Sequence, residues 1–400
     1  MSAASKSRPS RSRRPARGPE PSRRVAPEPP PDGATPVAGV TSASRVRRWG
    51  TSPFAASVLL VLYYLNAVSA TSGKSNTFDE LAHLTAGYSY WMTGEYRMQP
   101  ENGNLPQRLA GAALAGGGFV LPTFAQAEWQ QSDVWGYGRQ FLFEANGRRA
   151  EEMLRRARAM MGFVGVAVGV IVWLWSRRLF GPTGGMVSLV LFAFSPTMLA
   201  HGPLVTSDMT ATLFFLLSLA AVWTLLHRVT VLTTLASGLA LGGMALAKPS
   251  AAVFLPMVAL LVTLRFLGGG PLQVGRWWRA PEERRSRLSW MPPLAAAAAV
   301  TTSVAIATIW LGYGFRYAAM QPSPLGGDSF IRPWSWVMDQ ADSARQVLWW
   351  LAGHRWLPEG FLYGTAYALR MADQRSAFLL GQYSQTGWWW FFPYAFLVKT

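Results

Sequence analysis

The 400-residue sequence contains no cysteine, which excludes disulfides and Cys-based zinc sites while leaving an oxidising compartment open. It is also short of charge: 14% of residues are charged, against about 25% in an average soluble domain. The apolar residues, half of the chain, come in blocks of roughly 15–22 positions almost free of charge. Such blocks cross ~30 Å of hydrocarbon at 1.5 Å per residue. They lack the polar stripe of a soluble core helix, so the expected surroundings are lipid. The glycine runs at 115–118 and 268–270 have no strand before them and no Lys-Ser/Thr after them. A nucleotide-binding P-loop is therefore disfavoured.

What the chain has in excess is positive charge, a net +17. Residues 1–49 are rich in Pro, Ser, Arg and Gly without apolar periodicity, and residues 1–50 hold eleven Arg and Lys against three acidic residues. This reads as an unstructured arm beside anionic lipid, on the cytoplasmic side, rather than a nucleic-acid-binding arm. Spans are predicted near 53–70, 159–176, 186–201, 209–226, 230–247, 251–267 and 292–312. A signal peptide is the rival for the first, but the leader is too long for an ordinary n-region. Arg177, Arg178, His227, Arg228, Arg265 and the run from Arg276 to Arg287 then fall on the side of the arm, as the positive-inside bias requires. Two outer loops, 72–156 and 313–387, hold nine and five of the 20 acidic residues. A last apolar segment from Trp388 to Thr400 has 13 residues, short of the roughly 17–25 a span needs. The expectation is a fragment of a longer chain. The whole predicts an all-α, polytopic transmembrane helical bundle in the plasma membrane, with the arm at 1–49 and the membrane domain at 50–400.

The first outer loop opens with Thr77-Phe78-Asp79-Glu80-Leu81-Ala82-His83. In a helix, Asp79 and His83 stand at i,i+4 and share a face, with Glu80 in reach of His83. Charged groups just beyond a span point to function, whereas two acids in a first helical turn also simply complement the macrodipole. A metal site on Asp79, Glu80 and His83 has a single imidazole and no second His nearby. A divalent metal is permitted, but nothing points to one. Lys248, where two apolar blocks meet, is either a phosphate ligand or a lysine that snorkels. Lys399 lies within an apolar segment and needs an anionic partner. Arg370 and Arg375 are weaker phosphate candidates, and Asp208 is either a helix cap or part of the site.

The run Asp79-Glu80-x-x-His83, Gly87-Tyr88-x-Tyr90, Gly94-x-Tyr96-Arg97 and Pro100-Glu101 resembles the first loop of the dolichyl-phosphate-mannose protein mannosyltransferase-like family. Ser195-Pro196-x-x-x-Ala200-His201-Gly202 with Thr206-Ser207-Asp208, then Ala247-Lys248-Pro249-Ser250, are similar to the same family. So are Gly381-x-Tyr383-Ser384, Gly387-Trp388-Trp389 and Phe396-Leu397-Val398-Lys399-Thr400, in order over about 50–400. The resemblance implies a GT-C fold with a large first extracytoplasmic loop. It implies an inverting glycosyltransferase that moves a mannose-like hexose from a polyprenyl-phosphate donor to a hydroxyl of a protein, lipid or glycan acceptor. It marks Asp79 as general base and Glu80 as a group that orients the sugar or Asp79, with His83, Glu101 and Asp208 around the cavity. Where relatives carry His-Pro-Pro-Leu after the glutamate, this chain has Asn102-Gly103-Asn104-Leu105-Pro106. An Asn-Gly pair favours a turn, so a differently built loop is expected there. The alternatives from other classes are a transporter or lipid-linked-sugar flippase, and an inactive membrane scaffold.

Overall fold

Prolines and glycines, more than changes in hydrophobicity, set where this chain turns. Its structure, a computed structural model, describes residues 51–275, 282–322, 328–373 and 376–399, apart from the side chains of Ser250 and Lys399. The basic arm at 1–49, Arg375 and the Lys399 side chain, all singled out above, lie outside the described residues. Helix α1 (Pro53–Ala70) starts with Pro at its first position and the Ser52 hydroxyl accepting the Ala55 amide at 3.2 Å. Only a stripe of Ala56, Leu60, Tyr63 and Ala67 is buried, while Val58, Val61, Leu62 and Leu65 are exposed. A helix apolar on its exposed face is one that faces lipid.

The first outer loop is built from α2 (Phe78–Thr93), α3 (Asn104–Ala112), α4 (Ala127–Gln130) and α5 (Val134–Arg139). Next comes α6 (Ala150–Ala193), a continuous helix in name only. Gly181, at φ +75°, reverses the chain, which L side chains rarely allow. The Ser176 hydroxyl then donates to the Gly184 carbonyl at 3.0 Å and lies 2.7 Å from that of Ser188. Residues 150–180 and 182–193 are therefore two antiparallel limbs. The span expected near 186–201 is broken as well. Ser195 precedes Pro196, which disfavours helical geometry at the serine (φ −65°, ψ 122°), and a separate α7 (Pro196–His201) begins there.

Four more apolar helices complete the bundle: α8 (Asp208–His227), α9 (Val231–Ala247), α10 (Phe254–Gly268) and α11 (Arg287–Gly312). Among the described residues, five helical segments are long and apolar enough to cross a membrane: 53–70, 147–193, 208–227, 251–268 and 287–312, with α9 a shorter apolar helix. The protein is thus mostly helical and polytopic.

The two ends of the bundle differ in charge. At one end Arg177 donates to the Thr51 carbonyl at 3.2 Å and Arg265 to that of Leu226 at 2.9 Å. A small sheet joins the connections there: β1 (Arg228–Val229) pairs in parallel with β2 (Leu272–Val274), which pairs antiparallel with β3 (Glu282–Arg284). The opposite end carries both acidic loops. The second contributes α12 (Trp334–Val337), α13 (Ser343–Gly353), α14 (Glu359–Ala372) and the hairpin β4 (Ala377–Leu379) to β5 (Gln382–Ser384), before α15 (Phe391–Lys399). The loops interlock: the Tyr96 amide donates to Ala319 at 2.7 Å and the Ser329 amide to Gln130 at 2.8 Å. Arg97, almost wholly buried, reaches Asp328 at 2.7 Å and also pairs with Glu95.

Candidate active site

The capping sequence Thr77-x-x-Glu80 starts α2, with the Glu80 carboxylate accepting the Thr77 amide at 2.8 Å. This turns Glu80 inward, where it is fully buried. Arg158, on the first limb of α6, meets it with a two-pronged grip at 2.8 and 2.7 Å. The same guanidinium donates to the carbonyls of Thr71, Lys74 and Ser75 at 2.8–2.9 Å, and the Val205 amide donates to Glu80 at 3.2 Å. Burial works to raise the Glu80 pKa, but the bonds from Arg158, Thr77 and Val205 outweigh it and leave it lowered. One carboxylate thereby ties together the exit of α1, the start of α2, the first limb of α6 and the approach to α8.

A second group of side chains gathers beside this pair. Lys248 precedes Pro249, which favours the extended conformation it adopts (φ −162°, ψ 137°) and ends α9 at Ala247. Its ammonium reaches Asp208, in the first turn of α8, at 2.7 Å, with both side chains partly open to solvent. His83 is buried on α2 and lies in the field of Asp208, Lys248 and Glu80. Burial drives its imidazole down to about 4, with Asp208 partly opposing. Gly103 is packed against the end of α9 so closely that a Cβ there would stand 1.9 Å from the Ala247 carbonyl oxygen. The close approach sets Asn104 next to the Lys248 junction. Buried polar atoms are normally paired. Here His83 Nδ1, both polar atoms of the Asn104 side chain and the hydroxyls of Thr206 and Thr210, which flank Asp208, have no partner among the described residues. The arrangement sets buried, unpaired polar atoms beside a partly exposed cation.

The structure separates other residues that the sequence groups together. Asp79 and His83 do stand one turn apart on α2, but they differ in exposure: Asp79, in the first turn, is exposed, with no ion pair or hydrogen bond among the described residues, while His83 is buried. Asp208 does not act as the cap, since Ser207 holds that position. Glu101 stands in the turn before Gly103, close enough for its charge to act on Tyr90, Tyr363 and Tyr367. Burial without a cation raises its carboxyl to about 7. Arg370 belongs to a different cluster, pairing with Asp339 at 3.4 Å and Asp373 at 3.5 Å over the Trp336 ring. Sequence reasoning overlooked Arg158, Asn104, Thr206 and Thr210. For Arg158 a signal existed. It lies in the inward stripe Met153, Leu154, Ala157, Arg158, Met161, an arginine where apolar residues recur at helical spacing.

A bundle of apolar helices under two interlocked acidic loops, with paired charges where they meet, defines a polytopic membrane protein with a candidate site at one membrane face. Residues 150–269 match the family model described as dolichyl-phosphate-mannose-protein mannosyltransferase, in agreement with an all-α membrane glycosyltransferase of GT-C type. Arg158, Asp208 and Lys248 lie inside the matched stretch; Asp79, Glu80, His83 and Glu101 precede it. No curated protein and no solved structure matches the chain.

Proposed function

We propose that this protein transfers a mannose-like hexose from a polyprenyl-phosphate donor to an acceptor hydroxyl, at the end of the bundle that carries the two outer loops. The observation that carries this reading is the convergence of His83, Asp208 and Lys248 beside the buried Glu80–Arg158 pair, three elements of which come from the stretch matching the mannosyltransferase family. Asp79 is the base. It is an accessible carboxylate without a cation among the described residues, held on the first turn of α2 by its neighbour Glu80. It accepts the acceptor hydroxyl's proton as that oxygen bonds to the anomeric carbon from the face opposite the phosphate. The carbon–oxygen bond to the phosphate breaks, and the polyprenyl phosphate departs with the electron pair. A single displacement inverts the configuration. The phosphate is already a good leaving group, so Lys248 need only stabilise its charge.

Glu80 is a positioning residue in this mechanism: with four donors on it and no exposure, it touches no substrate. Asn104, Thr206 and Thr210, whose side-chain polar atoms are buried as well, back the site rather than touch the sugar. The test uses the purified full chain with a radiolabelled polyprenyl-phosphate mannose and an extract of the native membrane as acceptor source. Wild type labels an acceptor, and Asp79→Asn, expressed and folded normally, does not. Label that crosses a vesicle membrane without forming a new bond, in wild type, replaces this reading with the transporter.

A further inference from the structure

At the basic end of the bundle, which carries none of the candidate active-site residues, lies a cavity of about 470 Å³. Its walls are apolar: Trp175 on the first limb of α6, Leu219 and Trp223 on α8, and Leu261 on α10. Its rim is cationic, formed by Arg178, His227 and Arg228 at the ends of those same helices. The helices are the ones apolar enough to span a membrane, so the cavity opens along the bilayer with its charges at the boundary.

Three observations specify an occupant. Arg178 and Arg228 are exposed and have no acidic partner among the described residues. The acidic side chains of this end, Glu282 and Glu283, are already taken by Arg284 and Arg285. His227 is fixed by its Nδ1 against the Trp223 carbonyl at 2.8 Å and lies tilted against the Trp223 ring, which leaves Nε2 as its remaining ring nitrogen. Two unneutralised guanidinium groups above apolar walls fit an amphiphile with an anionic head and a hydrocarbon body. Lone basic residues at a helix end complement the macrodipole or snorkel, but neither effect requires a cavity between them.

We infer that this cavity binds one anionic glycerophospholipid, its phosphate between Arg178 and Arg228 and an acyl chain against Trp175, Leu219 and Leu261. Basic pockets between membrane helices recognise anionic headgroups in this way, each cation contributing on the order of tenfold or slightly less. The site does not depend on the transferase reading and does not share a residue with it.

The experiment is native mass spectrometry of the full chain in detergent micelles doped with either phosphatidylglycerol or phosphatidylcholine. Wild type retains one phosphatidylglycerol, at least about tenfold more strongly than phosphatidylcholine. Arg178→Gln with Arg228→Gln lowers that retention by about tenfold or more, while Arg284→Gln with Arg285→Gln, which removes equal charge outside the cavity, does not. Leu219→Trp, which fills the cavity and keeps both arginines, also displaces the lipid. Equal retention of the two lipids would overturn the inference. So would retention in both the arginine and the Leu219→Trp variants, or an equal loss on neutralising Arg284 and Arg285.

Discussion

Replacing Arg158 with Met keeps most of the side chain's length and apolar stem while deleting its charge. The carboxylate of Glu80 is then left fully buried with only the Thr77 and Val205 amides, and three backbone carbonyls lose their donor. Removing one partner of a buried ion pair costs about 3–5 kcal/mol, because the survivor is an uncompensated charge. With about 2 cal/mol/K of unfolding entropy per residue, a body of this size moves by about 1–2 °C per kcal/mol, so the melting temperature should fall by about 4–8 °C. The assay is thermal unfolding of the detergent-purified chain for Arg158→Met, Glu80→Gln and the double variant.

The double variant should be destabilised by less than the sum of the singles, with a coupling of about 2 kcal/mol or more. The pH dependence carries the same logic. The folded pKa of Glu80 is lowered, so the stability it contributes is present above its unfolded value of about 4.3 and is lost as pH falls through the folded value. In Arg158→Met nothing but two amides opposes burial, and the carboxyl neutralises more readily. The variant's deficit is therefore largest near neutrality and shrinks toward pH 5. Additive single and double effects, or an Arg158→Met chain as stable as wild type, would refute the reasoning.

Glu101 titrates in the opposite sense: its folded pKa, near 7, exceeds its unfolded value, so its contribution to stability is present below about 4.5 and gone above about 7. Glu101→Gln should accordingly raise the melting temperature at pH 8 and leave it unchanged at pH 5, as thermal scans at the two pH values will show. The Asp208–Lys248 pair is partly exposed and should contribute only about 0–1 kcal/mol to stability. Lys248→Met should nonetheless reduce sugar transfer by tenfold or more, read as initial rate beside a thermal scan. Gly103→Ala places a methyl group 1.9 Å from the Ala247 carbonyl oxygen and should lower both stability and transfer, since the neighbouring backbone must shift.

The spans were legible because a bilayer imposes length and composition together, and the basic flanks separated the two ends. Arg177, Arg265 and Arg228 do gather at one end with Thr51. What escaped was tertiary. Gly181 reads as one glycine among many, yet its positive φ folds α6 upon itself. The Asp79–His83 face followed from helical spacing alone, and spacing does not say which side turns inward. The capping bond at Thr77 and the fork from Arg158 decide that, placing Glu80 and His83 inside and Asp79 outside. Arg158 sits 78 positions from Glu80 and follows Arg155 and Arg156, so it reads as one more membrane flank. The turn falls on Pro100 and Glu101, closed by the Asn102 amide on the Gln99 carbonyl at 3.2 Å, rather than on the Asn-Gly pair that suggested it, and the extended Gly103 that follows packs on the end of α9.

The two ion pairs of the candidate site divide its labour by exposure. Arg158 and Glu80 are held by seven short contacts in a dry interior, where exchanging a partner would strand a charge. They can serve as a frame and as little else. Lys248 and Asp208, each open to solvent, give up little when they separate. In the proposed reaction a lipid phosphate would therefore take Lys248 from Asp208 at small cost, and its departure would restore the pair. The fork on Glu80 has a further consequence one residue away. By engaging Arg158 fully it leaves Asp79 as the carboxylate of this turn with no cation upon it among the described residues, facing solvent, where the proposed reaction would bring an acceptor hydroxyl. Swapping the two roles, with Asp79→Glu and Glu80→Asp in one chain, should break the fork without moving the exposed charge. The frame fails by the loss of a methylene, and transfer should be lost together with stability.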